Sequence, residues 1–188
     1  MILRFKLLLA LFSFNAVISQ TNWQKFVNNP IIQPDHSAGV FAHTDPSLLY
    51  DGSLFHFWIS GGGFIPGDTL AGVRTYYFTS EDGYQWTYNP ANPVFREAIA
   101  GAWDSGHIET PHVIKNGDEY WLYYVATVDS AADDPATLQL GLAKSPDGEN
   151  WIRHSESQLM GRGEPDSWEA RWIESPCVVK TDSLFYLW

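Results

Sequence analysis

The sequence predicts an all-β chain built from repeated antiparallel units. Residues 80–86, Ser-Glu-Asp-Gly-Tyr-Gln-Trp, return at 145–151 as Ser-Pro-Asp-Gly-Glu-Asn-Trp, a Ser-x-Asp-Gly-x-x-Trp frame displaced by 65 positions. Pro46, Pro111 and Pro176 keep the same 65-residue interval. Apolar residues come in short runs rich in β-branched and aromatic side chains and are broken by Asp-Gly, Asn-Gly and Gly-Gly, the pattern of strands joined by tight turns. A fixed period of this length marks one supersecondary unit stacked along or around an axis.

The first unit, about 45–95, reads as strands over 47–50, 54–59, 73–79 and 85–88. They are joined by Asp51-Gly52, a glycine-rich loop to Gly72, and Asp82-Gly83. The second, about 109–160, reads as strands over 112–115, 120–127, 138–144 and 151–154, joined by Asn116-Gly117, an acidic loop to Pro135, and Asp147-Gly148. A third begins at about 174, with strands over 177–180 and 183–188. No stretch carries a helical period.

Trp23 is followed after six residues by Asn29-Pro30 and then Ile31-Ile32, and Trp86 is followed in the same way by Asn92-Pro93 and then Val94-Phe95. Residues 23–32 therefore read as the outermost strand of a unit whose other three strands lie elsewhere. Such a strand closes a ring of units, and closure removes the open strand edges that native sheets avoid. The expected architecture is a β-propeller, of which residues 20–188 form the N-terminal part: two and a half four-stranded blades plus the closing strand. Between blades, residues 103–111 align without gaps on 168–176. In a propeller such segments end at the central axis.

Residues 1–19 read as a cleaved secretory signal. Arg4 and Lys6 precede an apolar run too short for a good membrane span, and small residues precede Gln20. This predicts a secreted or periplasmic protein with no membrane partner after cleavage. The remaining chain has nine basic against 22 acidic residues, a net charge of −13, which argues against nucleic acid as a partner. Cys177 is the single cysteine, so no intramolecular disulfide forms.

A carboxylate recurs just before each repeated proline: Asp45, Glu109 and Glu174. A propeller brings these toward one axis, with Asp104 and Glu169 expected near the rim. Crowded carboxylates push their proton affinities apart, so that one serves as acid while another stays a base. That is the chemistry of glycosidic bond cleavage. Trp103, Trp172, His43 and His107 in the same segments offer flat faces with polar edges suited to a sugar ring. Each carboxylate could instead cap backbone amides in a turn. The Ser-x-Asp-Gly-x-x-Trp frame reads as a fold element, with Trp23, Trp86 and Trp151 packing between blades. The six histidines show no metal-ligand spacing.

Three phrases carry a resemblance: Thr44-Asp45-Pro46 with the following Ser47-Leu48-Leu49-Tyr50-Asp51-Gly52; Leu140-Gly141-Leu142-Ala143-Lys144-Ser145-Pro146-Asp147-Gly148-Glu149-Asn150-Trp151; and Ile173-Glu174-Ser175-Pro176. The sequence resembles the five-bladed β-propeller glycoside hydrolases, the superfamily of families 43, 32, 62, 68 and 117, over residues 21–188. The resemblance implies Asp45 as general base or nucleophile and Glu174 as general acid. It also implies an aspartate before the second proline, where this chain has Thr110, with Glu109 one residue earlier. Glu109 or Asp104 substitutes for it, or the later acids lie beyond Trp188. The implied function is hydrolysis of arabinose-, xylose- or fructose-containing glycans without a cofactor or metal, by a longer protein of which this piece alone is inert. Two other readings stay open: a propeller that binds glycan without cleaving it, and an Asp-box propeller of the sialidase kind.

Overall fold

A computed structural model describes residues 23–64, 72–128 and 138–188. The expected signal peptide, 1–19, lies outside the described residues, as do 65–71 of the glycine-rich loop and 129–137 of the acidic loop. The fold is all-β. One four-stranded antiparallel sheet has the order β1 (Val40–Tyr50), β2 (Phe55–Gly63), β3 (Gly72–Ser80), β4 (Thr87–Tyr88). A second has the order β5 (Ile108–Asn116), β6 (Glu119–Ala126), β7 (Gln139–Ser145), β8 (Ile152–Arg153). β9 (Val178–Lys180) and β10 (Phe185–Leu187) pair antiparallel in a third. Ahead of β1, a single 3-10 turn, His36–Ala38, is capped by Asp35, whose carboxylate accepts the Ser37 and Ala38 amides.

The inner strands of the two large sheets start earlier than expected, so Asp45 and Glu109 lie within strands and not ahead of them. Pairing runs from Val40↔Gly63 to Tyr50↔Phe55 and from Ile108↔Ala126 to Asn116↔Glu119, with an irregularity at Thr44/Ser47 and Glu109/His112. Proline has no N–H to give to a ladder, and a bulge carries the chain past it. The residue before each proline takes the left-handed conformation: Asp45 at φ 54°, Thr110 at 47° and Ser175 at 54°. The 65-residue period is thus a backbone period as well.

The outer edges repeat too. After β4 and β8 the chain returns to bridge Thr75↔Phe95 and Leu140↔Met160. Between β4 and that bridge, the Asn92 side chain extends the ladder: its Oδ1 accepts the Tyr77 amide at 2.7 Å and its Nδ2 donates to the Tyr77 carbonyl at 2.9 Å. Residues 23–32, expected as an outermost strand, form none. The unit they are expected to close is neither of these two, since β3 and β7 already carry β4 and β8. Asn29-Pro30 and Asn92-Pro93 are nevertheless both cis. Trp23, expected to pack between blades once the ring is closed, is 91% exposed among the described residues.

The Ser-x-Asp-Gly-x-x-Trp frame is a turn clamp in both sheets. Asp82 Oδ1 accepts the Tyr84 and Gln85 amides, Asp147 Oδ1 accepts those of Glu149 and Asn150, and Ser80 and Ser145 Oγ accept the glycine amides. Burial opposes ionisation of Asp147, but the Asn150 amide and its neighbours hold the carboxyl well below the usual carboxylate range. The second clamp also docks the sheets together. Trp58 Nε1 of β2 donates to the Gly148 carbonyl at 2.8 Å, and Trp151 packs edge-on to Trp58. Gly148 has φ 80°, and a Cβ there would lie 2.8 Å from the Trp58 ring.

The second sheet is buried on both faces. Tyr120, Leu122 and Tyr124 pack with Trp58, Tyr77 and Phe95 of the first sheet, while Tyr123, Val125, Leu140 and Leu142 pack with Val178 and Ile173. Burial on both sides explains why Tyr120–Tyr124 is a continuous apolar run with no alternation. Two tethers cross between inner strands. Val113 N–H donates to Ser47 Oγ at 2.9 Å, and His112 Nε2 donates to the Val178 carbonyl at 2.9 Å, each spanning 66 residues. The linkers repeat bond for bond: Ala98 N–H to the Asp104 carbonyl, Ala102 to Ile99 and Ser105 to Ala102 recur as Gly163 to Glu169, Ser167 to Glu164 and Ala170 to Ser167.

Asp104, expected near the pocket rim, is 1% exposed and holds the first linker to the second sheet. Its Oδ2 accepts the Tyr124 hydroxyl at 2.9 Å and Arg153 Nε at 2.6 Å, and Arg153 also donates to the Arg96 carbonyl. Trp103 stacks on Tyr124 with ring centroids 5.8 Å apart, so one face of its ring serves the fold. Removing the carboxylate would strand a buried hydroxyl and a half-buried guanidinium. Asp104→Ala is therefore expected to cost about 2–4 kcal/mol in urea denaturation, and Asp104→Asn less.

A second ion pair, Arg74 with Glu97, is bidentate at 2.8 and 2.9 Å. Burial opposes Glu97 ionisation, but the guanidinium outweighs it and holds the carboxyl at about 2, below its ordinary 4.5. A depressed folded value contributes stability above the unfolded value that is lost as pH falls through the folded one. With solvent screening allowed for, the stability lead over Glu97→Gln should narrow by about 1–2 kcal/mol between about pH 6 and about pH 2. Urea denaturation of both proteins across that range checks it.

Candidate active site

The two bulges place the first and second carboxylates on neighbouring inner strands. Asp45 is half-buried, and its Oδ2 accepts the Thr44 hydroxyl at 2.8 Å. Thr44 pairs across the sheet with Ser60 of β2. Ser60 is 1% exposed, and its Oγ accepts the Thr110 amide of β5 at 3.0 Å. Glu109 precedes Thr110, and its Oε1 lies 3.4 Å from His107 Nδ1. The His107 amide donates to Thr127 Oγ1 at 2.9 Å, fixing the backbone there. A left-handed residue before proline is sterically disfavoured, more so for β-branched Thr110, and such strain persists only where the surroundings over-determine it.

The three carboxylates are not positional equivalents. Sixty-five residues on from Thr44 and Asp45 stand Glu109 and Thr110, then Glu174 and Ser175. Asp45 alone occupies the left-handed position, and the two glutamates stand where the first sheet has Thr44.

Glu174 is exposed and borders a groove of about 610 Å³ with Ser175, Trp168, Trp172, Leu187 and Trp188. The Trp172 ring carries the Arg171 guanidinium 5.0 Å from its centroid. Three indoles beside one carboxylate supply the flat apolar surface and polar contact that a sugar ring requires. His43 borders a second groove, of about 530 Å³, with Thr44, Pro46 and Trp86. It packs against Tyr76 and Phe78, and burial pushes its pKa down. Its equivalent in the second sheet is Ile108, which is fully buried. His43 thus stands at a core position of the repeat, one residue from Thr44. Trp172 and Glu174 share the first groove, His107 and Glu109 form a pair, and Asp45 joins that pair through Ser60 and Thr110.

Ser60 and Thr110 are the residues that sequence reasoning missed. A signal was present: the repeat carries Val125 where the first sheet has Ser60, so the scaffold itself does not require a hydroxyl there.

No family model matches the sequence, and no curated protein matches it. Solved structures do. A family 117 glycoside hydrolase from the marine bacterium Zobellia galactanivorans superimposes with a TM-score of 0.67 at 15% identity, over 83% of this protein and 50% of that one. A complex of BT0996 with RGII gives 0.61 at 23%, over 79% and 40%. The Bombyx mori GH32 beta-fructofuranosidase BmSUC1 gives 0.56 at 17%, over 77% and 28%. The 188 residues therefore span half or less of each of these proteins. The described residues share the propeller fold of these glycoside hydrolases.

Proposed function

We propose that these residues are the N-terminal part of a secreted or periplasmic glycoside hydrolase with a five-bladed ring, acting on arabinose-, xylose- or fructose-containing glycans. The observation that carries the proposal is Asp45, held at φ 54° in an inner-strand bulge with one oxygen fixed by Thr44, next to the strand that bears Glu109. Asp45 acts as general base or nucleophile. Glu174, beside the indoles of its groove, acts as general acid and protonates the leaving oxygen, and Glu109 supports the charge that develops. The fold shared with glycoside hydrolases supports the reading, the beta-fructofuranosidase among them supports a fructose-containing substrate, and the RGII complex supports a glycan partner. The neighbours' greater length supports placing activity in the product of the complete reading frame, with the 188-residue piece inert by itself.

One observation favours a second reading, glycan binding without cleavage. The left-handed positions of the second and third units hold Thr110 and Ser175, not carboxylates.

An assay of the complete gene product on a panel of aryl glycosides separates the two. Hydrolysis that falls by about 10³-fold or more in Asp45→Asn supports the enzyme. Retention on a glycan affinity gel, with no turnover of any substrate in the panel, supports the binding module.

A further inference from the structure

We propose that Ser60 is a positioning residue that fixes the spacing between Asp45 and Glu109; the proposal rests on the glycosidase reading above. The contacts run without interruption: Asp45 Oδ2 to the Thr44 hydroxyl, Thr44 across the β1–β2 pair to Ser60, Ser60 Oγ to the Thr110 amide, and Thr110 to Glu109. Each of the two joined bends is a left-handed residue before a proline, a conformation the surroundings must hold in place. Thr110 is 5% exposed and its own hydroxyl is buried without a hydrogen-bond partner, so the amide is the polar group that anchors this residue. Without the Ser60 hydroxyl that amide is stranded in the interior, and the bend relaxes toward extended backbone. Glu109, the next residue, moves with it.

The departure from the repeat points to function over scaffold. Ser47 and His112 occupy equivalent positions and both tether neighbouring inner strands, as a structural device should. Ser60 has no such counterpart, because Val125 stands at its place in the second sheet. What Ser60 adds is a link between the strand of one carboxylate and the strand of another. In glycoside hydrolysis the separation of two carboxyl groups decides whether water fits between them or one attacks directly. An error of about 1 Å in such a spacing is enough to cost about 100-fold in rate.

Ser60→Val and Ser60→Thr test this in the complete gene product. The two side chains have the same shape and differ in the hydroxyl, and valine is what the repeat itself carries. Ser60→Val should lower kcat by about 10- to 100-fold with KM within about threefold and melt below Ser60→Thr, because it strands the Thr110 amide, whereas Ser60→Thr keeps most of the rate. Equal kcat for the two variants overturns the proposal. If Ser60→Val does not fold, Ser60→Ala against Ser60→Thr makes the same comparison. Asp45→Asn on the same substrate tells the two failures apart. Turnover lost in Asp45→Asn but equal in the Ser60 variants removes the positioning role alone. Turnover that survives Asp45→Asn, or is absent from the unmodified protein, removes the glycosidase reading and the positioning role with it.

Discussion

A proline set into an inner strand cannot donate to its neighbour, and much of the arrangement follows from how the chain passes it. In both large sheets the strand bulges just before the proline and the preceding residue turns left-handed, and the third unit repeats that turn at Ser175. The bulge re-aims the side chains around it while the ladder resumes on the far side, so the strand keeps its pairing and gains a kink. Ser47 and His112, just past the prolines, then reach the next inner strand. The kink, the tether and the carboxylate all come from a few consecutive residues. Sites re-aimed by a bulge need little else from the scaffold than rigidity, and the core faces on both sides of β6 supply it.

Scaffold and site separate along this chain by whether a feature recurs. The Asp-Gly clamps, the linker hydrogen bonds and the outer bridges appear twice at the same offset. Asp45, Ser60 and the His107–Glu109 pair do not. A propeller unit can be copied and its copies diverge at the axial end without loss of stability, since the packing is carried by the strands beyond the bulge.

The 65-residue period was legible because turns and prolines punctuate it, and the order of strands within each sheet followed from alternating apolar runs and glycine breaks. The starts of β1 and β5 were not legible. Pro46 and Pro111 read as breakers, and only the pairing partners on β2 and β6 show that the strand continues through them. Asp104 was misread for a related reason. Its carboxylate meets Arg153, 49 residues away, and nothing local in Trp-Asp-Ser-Gly distinguishes a buried lock from a rim acid.

Trp58 has a further meaning for how the protein acquires its structure during synthesis. The strands of the first sheet are complete by Tyr88 and its outer bridge by Phe95, yet this fully buried indole is sealed by the Gly148 carbonyl and the Trp151 ring, more than 50 residues later. A nascent chain carries that apolar face open while the whole second sheet emerges. The second sheet in turn has its outer face covered only when Ile173 and Val178 arrive. Each unit is thus a local fold that waits on its successor, and the interval of exposure, set by the repeat length, is when a chaperone would find the protein most receptive.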